Sequence, residues 1–331
     1  MSIFSKLFKE KYKVTQLPNL REPSFEECVD EFIRNYYNIS LLNPNKNDIN
    51  YSTFIHMFCN EEEDIGSNYN EQEKLMDLVR KQGYTTAPQF SDDDRIIFIH
   101  IYRQDGFNEN TNLNMVKLYI NCDRKNISLL TNHILQKIRT TVGAKLYLKF
   151  ISEQNSDCSE KPENNSFIKN YQRNDKIVIY AENPYNAEKI ATKINELRSE
   201  HPELFSFDKT LPFIPKKYGF IGFASKKSTD FAQTPLGTAG GSTYNDYISD
   251  FLFFCIISGF DKYYGIDSLS NQDHLKERMI RYAKQYQTMG KSEKDIILCK
   301  IKEIFEQVSR ENNVHTSYFT PVRKDDLVQN Q

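Results

Sequence analysis

Four short runs rich in β-branched and aromatic residues, set between stretches whose apolar residues recur at helical spacing, are the strongest constraint on the fold of this chain. The runs lie at 95–103, 112–121, 144–152 and 176–181. Between the second and third, Leu129, Leu130, His133, Ile134 and Ile138 share one helical stripe. After the fourth, Pro184 opens a stretch in which Ala187, Ile190, Ile194 and Leu197 do the same. Strands interleaved with helices in this way give an α+β class with a mixed or antiparallel sheet.

The flanks read as helical. Ser24-Phe25-Glu26-Glu27 is a capping-box pattern, and Phe25, Cys28, Val29, Phe32, Ile33 and Tyr36 follow at helical spacing, so a helix is expected over 24–39. A second is expected over 71–82, where Leu75, Leu78 and Val79 share a face and Gly83 supplies the stop. Two amphipathic helices, 274–287 and 292–310, close the fold, the latter opened by Ser292 with Asp295 three residues on. The expected organisation is an N-terminal mainly helical region (1–90), an α/β domain (91–261), C-terminal helices packing on it (262–310) and a flexible tail (311–331). The acidic run Glu61 to Asp64 and the polar stretch 153–172 read as exposed loops.

Composition narrows the function. Hydrophobic residues at 39% and aromatics at 13%, without Trp, supply a core for 331 residues. A net charge of −2 gives no global field towards nucleic acid or membrane, so neither is expected as a partner. The longest apolar run, 251–260, is too short to cross a bilayer, and the first residues lack an apolar stretch of signal-peptide length, so the expected location is cytoplasmic. Six scattered cysteines without C-x-x-C read as free thiols, and six dispersed histidines without H-E-x-x-H leave no metal site and no cofactor to expect.

Three groups of residues could carry chemistry. Five of the 12 glycines fall between Tyr218 and Gly241, and Gly237-Thr238-Ala239-Gly240-Gly241-Ser242-Thr243 leads into a hydrophobic helix. Such a loop suits a phosphate cradle, though a Ser/Thr-capped loop without a ligand has the same composition. It is not a Walker loop, because no Lys follows its last glycine. Cationic and phenolic residues alternate along the strands: Lys117 with Tyr119, Lys145 with Tyr147 and Lys149, then Arg173 and Tyr180. Period-two spacing puts each set on one strand face, as it also would for lysines facing only solvent. Lys216-Lys217 and Lys226-Lys227 flank the expected strand 218–223. His100 and His133 sit within apolar patterns and read as packed, Cys122 has no visible base, and Phe251, Phe253, Phe254, Tyr263 and Tyr264 read as core or subunit contact.

Met115 to Asn121, Leu146 to Phe150, Asp175 to Tyr180, Leu211-Pro212-Phe213 and the late glycine loop with Ser242 follow one another in an order that resembles the HopA family of type III effector-like proteins. That family includes the lyase component of class V lanthipeptide synthetases and of thioamitide dehydratases, and it is distantly similar to phosphothreonine lyases. The resemblance covers about 95–260 and implies a lyase-like sheet domain. It implies Lys149 as the base for the α-proton, Lys117 among the phosphate-facing cations and Tyr180 near the reacting carbon. Arg173, Lys226 and Lys227 would bind phosphate beside Gly240, Gly241 and Ser242. Tyr119 stands where phosphothreonine lyases carry a catalytic histidine.

The implied reaction eliminates phosphate from phosphoserine or phosphothreonine, leaving dehydroalanine or dehydrobutyrine. It needs a base, cations for a group of charge about −1.5 to −2, and no cofactor. Cations crowding Lys149 would lower its pKa from about 10.4 and raise its neutral fraction. Tyr119 or Tyr180 would supply the last proton. No kinase signature is present, so the phosphorylated peptide substrate would come from a separate Ser/Thr kinase as partner. Two alternatives stay open: a secreted effector lyase acting on host proteins, and a catalytically degenerate phosphopeptide- or leader-peptide-binding protein.

Overall fold

In the computed structural model the described residues are 24–42, 69–90, 96–103, 115–142, 146–152, 174–205, 216–225, 244–266, 274–311, 314–315 and 320–321. Ser24 and Glu27 cap each other: Glu27 N–H donates to Ser24 Oγ (3.1 Å) and Ser24 N–H to Glu27 Oε2 (2.6 Å). Helix α1 (Phe25–Leu42) grows from this box. Helix α2 (Tyr69–Lys81) stops at Gly83, whose φ of +81° lets its N–H reach Arg80 O at 3.0 Å.

Seven strands form one sheet: β1 (Thr85–Phe90), β2 (Ile96–Tyr102), β3 (Val116–Ile120), β4 (Tyr147–Ile151), β5 (Ile177–Ala181), β6 (Lys216–Lys217) and β7 (Ile221–Ser225). Their order is β1-β2-β4-β5-β3-β7-β6, with every pairing antiparallel, so the α+β class expected from the sequence is the one observed. Helix α3 (Ile127–Val142) joins β3 to β4, and α4 (Pro184–Glu200) follows β5. Asn183 caps α4 by accepting from Asn186 N–H at 2.8 Å, ahead of Pro184 at the first helical position. Helices α5 (Tyr244–Tyr264), α6 (Leu275–Thr288) and α7 (Lys291–Glu311) complete the main elements, and a short β8 (Val314–His315) and β9 (Thr320–Pro321) pair separately.

Alternating strand residues feed two cores. One face of the sheet packs with α2, α3 and α4 through Leu118, Leu148, Ile179, Ile134 and Ile190, all 0% exposed. The other gathers Met115, Tyr119, Tyr147, Val178, Tyr180 and Ala224 with α1, α5, α6 and α7. Buried polar groups lock the second helical layer. Arg278 pairs with Asp261, which also accepts from Tyr282 Oη at 2.5 Å, tying α6 to α5. Tyr286 Oη donates to Asp30 Oδ1 at 2.8 Å, tying α6 to α1.

Four local expectations are corrected. Residues 85–90, read within a helical region, form the edge strand β1; an edge tolerates Pro88 because one side of the strand has no ladder to lose. Leu129 is 39% exposed, since the buried line of α3 runs through Ile127, Leu130, Ile134, Leu135 and Ile138. Tyr218 and Gly219, expected within a strand, take φ of 56° and 78° and turn the chain between β6 and β7. Helix α7 begins at Lys291, not Ser292, because Glu293 Oε2 reaches back to accept from Gly290 N–H at 3.1 Å.

Cys28, Cys122, Cys255 and Cys299 are free thiols, while Cys59 and Cys158 lie outside the described residues. Phe251 and Phe253 are core, but Tyr264 is 40% exposed. No described helix is long and apolar enough to cross a membrane.

Candidate functional site

Antiparallel pairing places directly opposed residues on the same face. Register makes Lys117 face Tyr180, Tyr180 face Tyr147, and Tyr147 face Tyr102. The next row along the pleat is Tyr119, Val178, Lys149 and His100. The four expected residues Lys117, Tyr119, Lys149 and Tyr180 therefore rise from one sheet face, with Tyr147, Tyr102 and His100 among them.

Burial sorts this group. Tyr119, Tyr147 and Tyr180 are buried in the core shared with α1 and α5, whereas Lys117, Lys149 and His100 are only partly buried. The result is a floor of tyrosine rings carrying two solvent-reachable cations. Tyr147 and Tyr180 stack with centroids 4.3 Å apart and planes at 12°, and Tyr102 meets Tyr147 edge-on at 6.0 Å. Lys117 Nζ lies 5.5 Å from the Tyr180 ring centre, and Lys149 Nζ lies 4.0 Å from that of Phe98. β5 separates the strands bearing the two lysines, so their backbones stand about 10 Å apart across two strand spacings. Flexible four-carbon stems can close that gap on a bound anion.

His100 bridges the outer edge of the group. Its Nδ1 is 2.6 Å from Tyr147 Oη and its Nε2 3.0 Å from Gln89 Oε1. Burial, followed by the positive field of Lys149, pushes its pKa from 6.5 down to about 4, so the ring is neutral near pH 7. The sequence reading placed this histidine as packed; it is partly packed, and it also shares the row of Lys149. Its alternation with Phe98 and Tyr102 was visible, but the partner strand that brings Lys149 opposite was not.

Lys217 does not join them. It pairs in register with Ile221, whose side chain lies in the other core, and it forms an ion pair with Glu188 of α4 at 2.8 Å that raises its pKa. Lys145, Arg173, Lys226, Lys227, Gly240, Gly241 and Ser242 lie outside the described residues, as do Leu211-Pro212-Phe213, Glu61 to Asp64 and the polar stretch 153–172.

Two other polar clusters are structural in character. Fully buried Lys176 donates to Asn121 Oδ1 at 3.1 Å, and Asn121 Nδ2 donates to Asn174 Oδ1 at 3.2 Å, knitting the ends of β3 and β5. The rings of His133 and His201 meet at a tilt of 48° with centres 4.5 Å apart, between α3 and the end of α4, with Glu203 Oε1 3.3 Å from His201 Nδ1. Among the described residues no group of three His, Cys, Asp or Glu side chains is arranged to hold a metal ion.

No protein-family model and no curated protein matches the chain. Among solved structures, it is similar to an effector protein from Pseudomonas syringae pv. syringae strain 61, at 13% identity and a TM-score of 0.40 over 79% of this chain and 94% of the other. It is similar to an effector protein from Pseudomonas syringae pv. tomato strain DC3000 at 12% identity and a TM-score of 0.40, covering 89% and 99% of the two chains. It is also similar to the type III effector/phosphothreonine lyase OspF from Shigella flexneri at 13% identity and a TM-score of 0.31, covering 58% and 90%.

Proposed function

We propose that this protein is a phosphoserine/phosphothreonine lyase that needs no cofactor and acts on a peptide phosphorylated by a separate kinase. The observation that carries the reading is the shared sheet face: Lys117, Tyr119, Lys149 and Tyr180, from three different strands, come to two adjacent ladder rows. Lys117 lies over the Tyr180 ring and Lys149 over that of Phe98, and Tyr180, on the strand between the two that bear the lysines, stacks on Tyr147. Partly buried lysines on one face beside phenolic rings supply the charge and the hydrogen-bond donors that a phosphate dianion takes.

Each group then has a task. Lys117 holds the phosphate; Lys149, having given its own proton to solvent, takes the α-proton as the free amine, the Cβ–O bond breaks, and phosphate leaves with its charge offset by Lys117. The elimination leaves dehydroalanine from phosphoserine and dehydrobutyrine from phosphothreonine. Arg173, Lys226, Lys227, Gly240, Gly241 and Ser242 are the further phosphate ligands of this reading.

Mass spectrometry of a synthetic phosphothreonine or phosphoserine peptide tests it. Wild type is expected to remove about 98 Da from the peptide, and Lys149→Ala to abolish that loss. Elimination that persists in Lys149→Ala refutes the assignment of the base. A phosphopeptide that binds without any mass change refutes the lyase reading.

A further inference from the structure

Two histidines from different elements meet where the chain leaves α4. His201 ends that helix, its N–H donating to Leu197 O at 2.8 Å, and its own carbonyl accepts from Leu204 N–H at 3.1 Å across the short 3-10 turn Pro202–Leu204. The half-buried ring of His133 on α3 stands 4.5 Å from that of His201, and Glu203 Oε1 is 3.3 Å from His201 Nδ1. Asn126 Nδ2, just ahead of α3, donates to Glu203 O at 3.1 Å, so backbone and ring both hold the turn to the α3 segment. The chain then inserts Leu204 and Phe205 into the core, where the Phe205 ring meets that of Phe220 edge-on at 5.6 Å. Phe220 leads into β7, the neighbour of the strand that bears Lys117 and Tyr119.

We propose that the His133–His201 contact is an acid-sensitive latch, closed while His133 is neutral and released when a second proton enters the pair, freeing the 201–205 turn from α3. Two imidazoles at this separation carry one proton between them more readily than two. A proton on His201 meets the Glu203 carboxylate, whereas a second, on His133, meets the first. The charged groups acting on His133 come from every element around the contact. Glu203 of the turn and Glu200 of α4 favour its proton; burial, and after it the charge of His201, oppose it and prevail, so its pKa lies below 6.5. Lys137, one turn further along α3, is held by Glu200 at 2.5 Å and Glu196 at 3.7 Å. A group whose pKa is lower in the closed state than in the open one drives opening as it takes up its proton. Release therefore begins as pH falls below about 6.5 and levels off below the His133 midpoint.

Amide hydrogen exchange of the full chain, read residue by residue by NMR, tests the latch, with a histidine titration on the same sample. His133 is identified among the six histidines by its loss in His133→Gln. Between pH 7 and the acid side of the His133 midpoint, protection of the Leu204 and Phe205 amides, corrected for the intrinsic rate, should fall. The fall should be about tenfold for each pH unit by which that midpoint lies under 6.5, while the amides of β5 keep their protection. His133→Gln should abolish the fall. His201→Gln should raise the His133 midpoint and shrink the fall, and Glu203→Gln should move both the opposite way. Far-ultraviolet circular dichroism at pH 7 checks that each variant is folded.

Protection at Leu204 and Phe205 that stays constant while His133 titrates overturns the latch, and so does a fall that persists in His133→Gln. A fall shared by the β5 amides is global unfolding and overturns it as well. None of these outcomes bears on the lyase reading, because α3 and α4 pack on the sheet face opposite the one that gathers Tyr119, Tyr147 and Tyr180.

Discussion

Gly259 lies in α5 where that helix meets α7, and its missing side chain sets how closely the two approach. A Cβ built there would stand 2.3 Å from Ile301 Cγ1 and 3.1 Å from both Cα and N of Ile301. Moving the Ile301 side chain relieves the first clash but not the other two, since those atoms belong to the backbone of α7. Ile301 is itself 0% exposed, so its side chain has no open space to enter. Two opposing terms decide the outcome of Gly259→Ala. Alanine in a helix interior gains about 1 kcal/mol over glycine. Forcing packed helices apart costs about 1–3 kcal/mol and more where backbone must move. With three contacts inside 3.2 Å, the upper part of that range applies, and the net loss should be about 2 kcal/mol. Urea unfolding followed by tyrosine fluorescence and far-ultraviolet circular dichroism measures it, tyrosine serving because the chain has no Trp. Adding Ile301→Ala should recover part of the loss, making the double variant more stable than the sum of the single changes allows. A Gly259→Ala protein within about 0.5 kcal/mol of wild type, or additive behaviour in the double variant, would refute the close-approach argument.

Two further outcomes follow from groups already described. Asp261→Ala should destabilise by about 3–5 kcal/mol, because it strands buried Arg278 and the hydroxyl of Tyr282; Asp261→Leu combined with Arg278→Met should recover most of that loss in the same urea assay. The pH dependence of stability should carry the mark of His100: its folded pKa of about 4 lies below the unfolded 6.5, so the unfolded chain takes up the proton first and stability falls as pH drops from about 6.5 to about 4. Discounted for the partial exposure of the ring, the loss between about pH 7 and pH 5 should be about 1 kcal/mol, and His100→Gln should flatten the curve by that amount. An equal slope in the two proteins would show that the ring is not held neutral by its surroundings.

Local patterns in the chain were legible wherever a single element satisfied its own chemistry. The Ser24–Glu27 box, the Gly83 stop and the Pro184 start are each found as the local pattern alone predicts, while the Asn183 cap ahead of Pro184 emerges only from the structure. Where a distant element decides, spacing misleads. Leu129 fits a helical stripe as well as Leu135 does, yet the side of α3 that meets α4 and the sheet is chosen by the whole buried line, and Leu129 is left outside it. β1 carries no alternation of its own because it borrows its register from β2, residue by residue from Thr85 against Tyr102 to Gln89 against Phe98.

The site divides along the same line. Period two along one strand was enough to pair Lys117 with Tyr119 and Tyr147 with Lys149, because alternation is a property of that strand. Which of these sets share a face depends on the order β2-β4-β5-β3, and that order inserts β5 between strands that are consecutive in the sequence. A hairpin reading would have put β3 beside β4 and brought Lys117 next to the lysine row directly. The inserted strand instead spaces the two lysines by Tyr180 and Val178, two strand spacings apart. The same insertion frees the far edge of β4 to pair with β2, and only that pairing sets His100 opposite Lys149. Strand order, rather than any motif, thus makes a histidine from an apolar run the neighbour of the candidate base, which is why that adjacency could be read only once the sheet was assembled.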